Sequence, residues 1–364
     1  MRDLLTDYDR LAAQGRPLGR AVVTSVWGSA PRPEGSSMLA TADGTMAGSV
    51  SGGCVEGATA TEIGEAIGRG TPKLVTFGVS HERAWEVGLA CGGTIKVFVE
   101  PTVRPEVLAA ARGPGGEVVA TVLDGSDAGR SARIFEDERM EGTLGQAVPH
   151  DAVRDAALTA LAREASTTAT VETGAGPANV FLEVFPRQPR LVIFGGVHIA
   201  VALVPLARAL GYRTIVADGR PAFLTRERFP DADQLILAWP EAAFEQIGLD
   251  ASCYVCILSH DPKFDEPAVQ LALRSPARYI GAIGSRKTQA SRREWLRSEG
   301  FSDEQIARVH GPIGLELGGR QPSETALAIL AEMTAVRYGG AAASHPERSE
   351  GGMHRGMPPS LRSG

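Results

Sequence analysis

The sequence predicts an α/β protein in two parts: an N-terminal domain of mixed strands and helices, and a C-terminal domain built on a parallel sheet. A length of 364 residues corresponds to about two domains of roughly 150 residues each. The hydrophobic content of 43% is sufficient for packed cores. From Pro189 onward, short apolar strands alternate with helices, and this pattern is typical of a parallel sheet covered on both faces.

The N-terminal domain is predicted to cover residues 1–103. β-Branched and apolar residues indicate strands, paired prolines indicate a loop at 28–35, and Asp43-Gly44 is a hairpin signal. The predicted elements, in order, are an amphipathic helix within 1–15, strands at 20–27, 36–41 and 45–50, a helix at 55–67, and strands at 73–77 and 94–100.

Residues 104–188 form a middle α/β segment that we expect to belong to the N-terminal lobe. Its predicted elements are a strand at 118–123, a helix at 152–164 and a strand at 180–185. The C-terminal domain is predicted to cover 189–339. Its strands are expected at 190–194, 213–217, 234–238, 253–259 and 279–283, with helices at 199–210 and from about Pro322. The Gly-, Ser- and Pro-rich stretch 340–364 predicts a disordered tail.

Composition argues against several classes of function. A net charge of −6 and a pI near 5.7 provide no basic footprint for nucleic acid. No apolar run approaches the roughly 18 residues of a membrane span. Four cysteines without a secretion signal fit a reducing compartment, so we expect a cytoplasmic protein.

The C-terminal domain begins with a Rossmann-like unit. Gly195-Gly196 follows an apolar strand and precedes a helix, and Asp218 ends the next strand about 20 residues later, where a ribose-binding acid stands in dinucleotide folds. Val197, however, occupies the position where a second glycine would let the backbone approach a pyrophosphate. The pattern thus predicts the fold more strongly than NAD(P) binding, and an NAD(P)-binding oxidoreductase remains the alternative function.

Several polar residues follow the strands of this predicted sheet. His198 begins the first helix, His260 and Asp265 follow the strand at 253–259, and His310 lies in a loop before the last helix. Since carboxyl ends of parallel strands share one edge, we expect side chains of the strand ends to meet in one crevice, namely those of His198, Asp218, His260, Asp265, Ser285 and Arg286. After the strand at 279–283, the turn formed by Gly284, Ser285 and Arg286 predicts an anion site at a helix N-terminus. A third hypothesis is a nucleotidyltransferase that uses these acidic and basic residues at the sheet edge.

Two cysteines of the N-terminal domain lie beside glycine pairs, in Ser51-Gly52-Gly53-Cys54 and in Cys91-Gly92-Gly93. Glycine N–H groups can bind an anion, and the positive end of the following helix favours a thiolate at Cys54. Arg32 stands nearby in sequence, in a loop bracketed by prolines. The two elements together favour a ligand site, in which Cys54 and Cys91 are candidate contacts to a soft metal or its sulfur. The alternative is a pair of tight turns, each with a small cysteine packed beneath it.

Cys253 and Cys256 have the spacing of a metal motif, yet both fall within a predicted strand. Side chains three residues apart on a strand point to opposite faces. We therefore expect two core residues and no chelating pair.

These segments, taken together, give the chain a family resemblance. It resembles the XdhC/CoxI family, the xanthine dehydrogenase accessory factors, through motifs that run in order over residues 20–337. The motifs are GSAPRPEG at 28–35, GSVSGGCVE at 48–56, CGG at 91–93 with EP at 100–101, HIA at 198–200, SHD at 259–261, YIGAIGSR at 279–286 and HGPIG at 310–314. Glu56 joins the candidate binding residues through the second motif.

The resemblance implies an XdhC/CoxI-type N-terminal domain and a Rossmann-like C-terminal domain in a cofactor-binding chaperone that is not an enzyme. Such proteins bind the molybdenum cofactor without using it, assist its sulfuration with a cysteine desulfurase, deliver it to xanthine dehydrogenase-type molybdoenzymes, and are typically homodimers. Which domain holds the cofactor stays open. The expected cofactor-binding residues are Arg32, Ser51, Gly52, Gly53, Cys54, Glu56, Cys91, Gly92, Gly93, Gly195, Gly196, His198, Asp218, His260, Asp265, Gly284, Ser285, Arg286 and His310.

Overall fold

A computed structural model describes residues 1–28, 32–78, 93–174, 176–259 and 261–340 of the chain. The chain divides into two compact units, Met1–Gln188 and a second that begins at Pro189. The predicted tail at 340–364 lies outside the described residues except for Gly340.

The N-terminal unit begins with an antiparallel sheet covered by a helix. Its elements are α1 (Leu5–Ala12), β1 (Leu18–Trp27), β2 (Ser37–Thr41), β3 (Met46–Gly48), α2 (Glu56–Arg69), β4 (Lys73–Phe77) and β5 (Thr94–Glu100). The strand order is β3-β2-β1-β5-β4. The apolar positions Ile63 and Ala66 of α2 recur at helical spacing, and both are buried against sheet residues such as Val23 and Val97.

A second antiparallel sheet completes this unit. Its elements are α3 (Pro105–Arg112), β6 (Glu117–Val122), β7 (Ser131–Phe135), β8 (Met140–Gly142), α4 (His150–Ala162), β9 (Thr167–Thr173) and β10 (Gly176–Phe185), in the strand order β8-β7-β6-β10-β9. α4 buries Val153, Ala157 and Ala160 against the sheet. The middle segment therefore folds within the same unit as the residues before it.

A buried arginine joins the two sheets of this unit. Arg20 on β1 has no exposed surface, and its guanidinium contacts Glu100 on β5 at 3.2 Å and Glu183 on β10. Its third partner is the hydroxyl of Ser37, at 2.8 Å. Because Glu183 belongs to the second sheet, this ion cluster holds the middle segment against the first sheet.

The C-terminal unit is the predicted Rossmann-like domain. Its elements are β11 (Arg190–Phe194), α5 (His198–Ala209), β12 (Arg213–Ala217), β13 (Gln234–Ile236), α6 (Pro240–Ile247), β14 (Cys253–Ile257), α7 (Pro262–Leu273), β15 (Tyr279–Ala282), α8 (Arg286–Ser298), α9 (Asp303–Ala307), β16 (Val309–His310) and α10 (Pro322–Tyr338). The strands are parallel and ordered β13-β12-β11-β14-β15-β16. β12 and β14 lie on opposite sides of β11, so the carboxyl ends of β11 and β14 mark the switch point where such sheets bind ligands.

The two faces of this sheet bury separate apolar clusters, which alternate along β14. Cys253 packs in one cluster and Cys256 in the other, and both are fully buried. The prediction that these cysteines are core residues on opposite faces is therefore confirmed. Within the described ranges, no helix has the length and apolar character needed to cross a membrane.

Candidate functional site

The glycine turn before α2 binds an anion that belongs to the chain itself. The Glu56 carboxylate accepts hydrogen bonds from the hydroxyls of Ser49 and Ser51, at 2.6 and 2.7 Å. It also accepts from the backbone N–H groups of Ser51, Gly52 and Gly53, at 2.9, 3.1 and 2.9 Å. Burial raises the pKa of Glu56, but these hydrogen bonds outweigh burial and lower the pKa to about 2.

The expectation of free N–H groups at Gly52 and Gly53 is therefore wrong, because the side chain of Glu56 occupies this nest. The same contacts fix the loop that presents Cys54. The Cys54 thiol is free and exposed, and its backbone N–H donates to the Ser51 hydroxyl at 3.0 Å. The loop therefore presents a thiol at the start of α2 on a hydrogen-bonded support.

The other predicted binding residues of this unit are Arg32 and the glycine–cysteine motif at 91–93. Arg32 is partly buried, and its Nε has no hydrogen-bond partner among the residues described. Gly93 is buried immediately before β5. Cys91 and Gly92 lie outside the described residues, so their predicted roles stay predictions.

At the switch point of the C-terminal sheet, a second turn is held by an internal carboxylate. Gly195 has a φ of +110°, and a Cβ there would lie 2.8 Å from the backbone nitrogen of Ser259; only glycine fits this close approach. Asp218 is buried and accepts from the backbone N–H of Gly196 at 2.8 Å. It also accepts the Nε, Nη2 and backbone N–H of Arg220, at 2.9, 2.8 and 2.9 Å.

These contacts bear directly on dinucleotide binding. A carboxylate offers about four lone-pair sites, and Asp218 receives four donors from Gly196 and Arg220. Burial raises the pKa of Asp218, but the Arg220 and backbone hydrogen bonds outweigh it and lower the pKa. Asp218 therefore stays ionised in an internal ion pair, and it reaches a ribose only if Arg220 moves away.

His198 and His260 are the two histidines predicted at this edge of the sheet. His198 is exposed and is the first residue of α5, as expected for a residue displayed at the sheet edge. His260 lies outside the described residues, so its predicted role stays a prediction.

The carboxyl ends of β14 and β15 open into a cleft of about 510 Å³. The cleft is lined by Pro262, Asp265, Glu266, Ile283, Gly284, Ser285, Thr288, Ser291, Arg292 and Trp295. Sequence reasoning had placed Asp265, Gly284 and Ser285 at one edge, and the structure brings these three together. Arg286, which begins α8, does not line the cleft; it is exposed and pairs with Glu316 at 3.4 Å.

A buried ion pair lies within this cleft. Asp265 is 8% exposed, and its Oδ2 lies 3.5 Å from Nη2 of Arg292. Burial raises the pKa of Asp265 to about 7 despite the opposing charge of Arg292, and burial also lowers the pKa of Arg292. Desolvation thus outweighs the mutual attraction of the pair, and Asp265 titrates near neutral pH.

The turn after β15 borders the same cleft. Gly284 has a φ of +137°, and Ser285 caps α8 by accepting a hydrogen bond from the backbone N–H of Thr288 at 3.2 Å. The N-terminus of a helix of this length attracts anions. The cleft therefore combines a carboxyl group, a cation and a helix N-terminus.

His310 does not line the cleft, and its side chain is held by contacts with Tyr279 and Glu332. Its ring stacks on Tyr279, with centroids 4.8 Å apart, and its Nδ1 lies 3.4 Å from Glu332. Burial raises the pKa of Glu332, but hydrogen bonds from His310, Tyr279 and the Gly314 N–H outweigh it and lower the pKa. These contacts give His310 a structural role within the unit, and a binding role stays a prediction.

Sequence reasoning missed Arg292 and Arg220 as members of these sites. Thr288, Arg292 and Trp295 recur at helical spacing after Ser285, which places them on one face of α8 and is a signal for their shared position. Arg220 follows Asp218 by two residues, but only the folded turn reveals their bidentate pairing. In the described part of the chain, no group of three or more His, Cys, Asp and Glu residues could hold a metal ion.

Comparison with known proteins agrees with the expected family. Residues 191–333 match the model of the XdhC Rossmann domain, and residues 11–78 match that of the XdhC and CoxI family. The chain is 29% identical over 345 residues to a probable xanthine dehydrogenase subunit of Bacillus subtilis, covering 93% of this chain and 98% of that protein. It is 27% identical over 322 residues to the molybdenum cofactor insertion chaperone PaoD of Escherichia coli, covering 88% and 84%.

A solved structure extends the agreement to the fold. The crystal structure of a xanthine dehydrogenase from Bacillus halodurans, at 2.80 Å resolution, superposes with a TM-score of 0.70 and 26% identity over 93% of this chain and 96% of that one. The resemblance found in the sequence motifs is thereby confirmed. The chain belongs to the XdhC and CoxI family, with an XdhC Rossmann domain as its C-terminal unit.

Proposed function

We propose that this protein binds the molybdenum cofactor as cargo, assists its sulfuration, and inserts it into a xanthine dehydrogenase-type molybdoenzyme. The role of a maturation accessory factor has support from the family and from the relative named as an insertion chaperone. The observation that carries the proposal is the exposed Cys54 thiol on a loop braced by Glu56. A chaperone of this kind needs an accessible soft ligand, and Cys54 supplies one.

The chemistry of Cys54 suits a molybdenum centre or its terminal sulfur. Thiolates are soft ligands that favour soft or sulfur-rich metal centres. Because the loop already holds its own carboxylate, the residues from Ser49 to Gly53 act as a scaffold for the thiol and leave anion binding to another part of the chain. Glu56 is thus a positioning residue for Cys54.

The C-terminal cleft suits the organic part of the cargo. Molybdopterin carries a phosphate, and the turn at Ser285 offers a helix N-terminus bordering a cleft of about 510 Å³. Pockets of about 300–1,000 Å³ are usual for small-molecule ligands. The cysteine desulfurase, the client molybdoenzyme and the homodimer are the partners that this proposal requires.

The pairing of Asp218 with Arg220 is the reason to prefer a chaperone over an NAD(P)-dependent oxidoreductase. The acid that would bind the ribose already has four internal donors, and Val197 stands where a dinucleotide-binding turn has its second glycine.

An insertion assay with a thiol variant tests the proposal. The purified chain is incubated with isolated molybdenum cofactor and then mixed with a cofactor-free xanthine dehydrogenase-type enzyme. We expect the wild-type chain to raise the recovered enzyme activity, and Cys54→Ser to lower the rate of recovery by about tenfold, because an alcohol is a harder and weaker metal ligand.

The matched control is Glu65→Gln, at an exposed residue of α2 that pairs with Arg69 at the surface; it keeps the thiol, and it should insert the cofactor at the wild-type rate. Because Cys54 is exposed, Cys54→Ser should leave the circular dichroism spectrum unchanged. Equal insertion by wild type and Cys54→Ser would remove Cys54 from the proposed function, and no stimulation by the wild-type chain would end the proposal.

A further inference from the structure

We propose that the cleft of the C-terminal unit binds the 2-amino-4-oxopyrimidine edge that pterins and guanine share, with the Asp265 carboxyl as its acceptor and the Ser285 turn as the site of the ligand's phosphate. This inference rests on the proposed function, since it assigns the pterin of the cargo to a particular set of residues.

The Asp265 carboxyl contains an unsatisfied acceptor. Oδ1 of Asp265 is buried and has no hydrogen-bond partner among the residues that the structure describes. Oδ2 is 3.5 Å from Arg292, which is too long for a good hydrogen bond. Buried polar atoms without partners are rare in folded proteins and are explained by a ligand or an ordered water. The Ser259 hydroxyl also acts on this carboxyl, so Asp265 keeps unused acceptor capacity at Oδ1 on a side chain that lines the cleft.

The groups around Asp265 determine which kind of donor fits it. Arg292 already supplies a positive charge beside Asp265, and it is held in place by the Gln289 side chain at 2.6 Å and the Ile283 carbonyl at 3.2 Å. A metal ion has no ligand cluster here among the described residues. The two acceptors of a carboxylate match two parallel N–H groups, and a 2-amino-4-oxopyrimidine edge presents such a pair, one from the ring and one from the amino group.

The walls of the cleft suit a flat ring beside Asp265. Trp295, Ile283 and Pro262 contribute apolar walls, and the hydroxyl-bearing residues Thr288 and Ser291 lie on the same lining. A flat heterocycle suits such a partly apolar cleft. From the ring, a phosphate could extend toward the N-terminus of α8, where backbone N–H groups and the helix dipole favour an anion.

The test is calorimetric titration of the full chain with 6-hydroxymethylpterin monophosphate, GMP and CMP. CMP carries a phosphate and a ring but lacks the adjacent pair of N–H donors. We expect the pterin phosphate or GMP to bind at least about tenfold more tightly than CMP, because CMP cannot donate the two hydrogen bonds to the charged carboxylate. If the pterin phosphate binds more tightly than GMP, the ligand of the cleft is a cofactor pterin. If GMP binds more tightly than the pterin phosphate, the ligand is a guanine nucleotide.

A variant pair assigns the effect to Asp265. Asp265→Asn replaces one acceptor by a donor and is expected to weaken binding of the preferred probe by about 30-fold. Glu294→Gln, at an exposed carboxylate of α8 that does not line the cleft, is expected to change it less than about twofold. The inference would be overturned if the wild-type chain bound CMP as tightly as the preferred probe. It would also be overturned if a folded Asp265→Asn bound that probe as tightly as the wild-type chain. The CMP comparison uses only the wild-type chain, so it holds even if a variant does not fold.

Loading with intact molybdenum cofactor separates this inference from the function on which it rests. If the wild-type chain and Asp265→Asn retain the cofactor equally, the assignment to Asp265 fails while the cofactor-carrier function stands. If the pterin phosphate binds through Asp265 but no cofactor is retained, the inference stands and the carrier function fails.

Discussion

Arg20→Met is expected to lower the free energy of unfolding of the N-terminal unit by about 3–5 kcal/mol. The variant leaves Glu183 in the core without its cation and leaves Glu100 with Arg104 as its remaining cation, and both carboxylate side chains are 5% exposed or less. Burial lowers the pKa of Arg20, but the two carboxylates outweigh burial and raise it, which indicates that the charged cluster is strongly coupled. Removing one member of a buried ion cluster leaves uncompensated charge, and that penalty is the physical cause of the loss.

Urea unfolding followed by circular dichroism measures this change, and Arg16→Met is its control. Arg16 pairs with Asp43 on the surface, where the two side chains are 53% and 49% exposed. A surface ion pair contributes about 0–1 kcal/mol, so the control should be close to wild type. A loss of less than about 1 kcal/mol in Arg20→Met would contradict the view that this cluster joins the two sheets.

Glu56→Gln is expected to lower the free energy of unfolding by about 2 kcal/mol at pH 7. The lowered pKa of about 2, against an ordinary value of about 4.3, corresponds to about 3 kcal/mol, and we reduce this figure because the side chain is only half-buried. The substitution also places an amide donor against the N–H groups of Gly52 and Gly53. The loop that carries Cys54 should therefore loosen.

The lowered pKa of Glu56 also makes the free energy of unfolding depend on pH in a defined direction. A carboxyl whose pKa is lowered by folding contributes stability above its unfolded pKa and loses it as the pH falls through the folded pKa. The wild-type chain should lose this contribution between about pH 4.3 and pH 2, and Glu56→Gln should lack that part of the acid sensitivity.

Thermal melts across that pH range check this expectation, with Glu65→Gln as control. Glu65 lies on the same helix, is 53% exposed and pairs only with Arg69 at the surface among the contacts described. Identical acid profiles for wild type and Glu56→Gln would show that Glu56 does not anchor the loop.

The parts of the fold that were predictable from sequence are those whose burial leaves a simple pattern. β11 and β12 have the predicted boundaries, because a strand buried on both faces is a continuous apolar run between turns. β7, β8 and β9 were not predicted, since short antiparallel strands with one exposed face carry a weak signal. α3 was also missed, although Pro105 at its start is a helix signal.

In the candidate sites, contacts between residues close in sequence were predictable, and contacts between distant residues were not. Glu56 follows Gly53 by three residues, which is the spacing of a capping box, so its contact with the turn had a local signal. Asp265 and Arg292 lie on successive helices, and no local pattern pairs them. Whether a polar residue at a sheet edge meets a ligand or an internal partner, as Asp218 meets Arg220, depends on the folded turn and not on the motif.

Retention of the molybdenum cofactor by the purified chain tests the central claim most directly. The chain is incubated anaerobically with isolated cofactor, separated by gel filtration, and assayed for molybdenum and for pterin in the protein peak. We expect wild type to retain both, and Cys54→Ala to retain much less molybdenum than Glu65→Gln, which leaves the thiol intact. A protein peak free of molybdenum and pterin, the same for wild type, Cys54→Ala and Cys91→Ala, would contradict the assignment of this protein as a cofactor carrier.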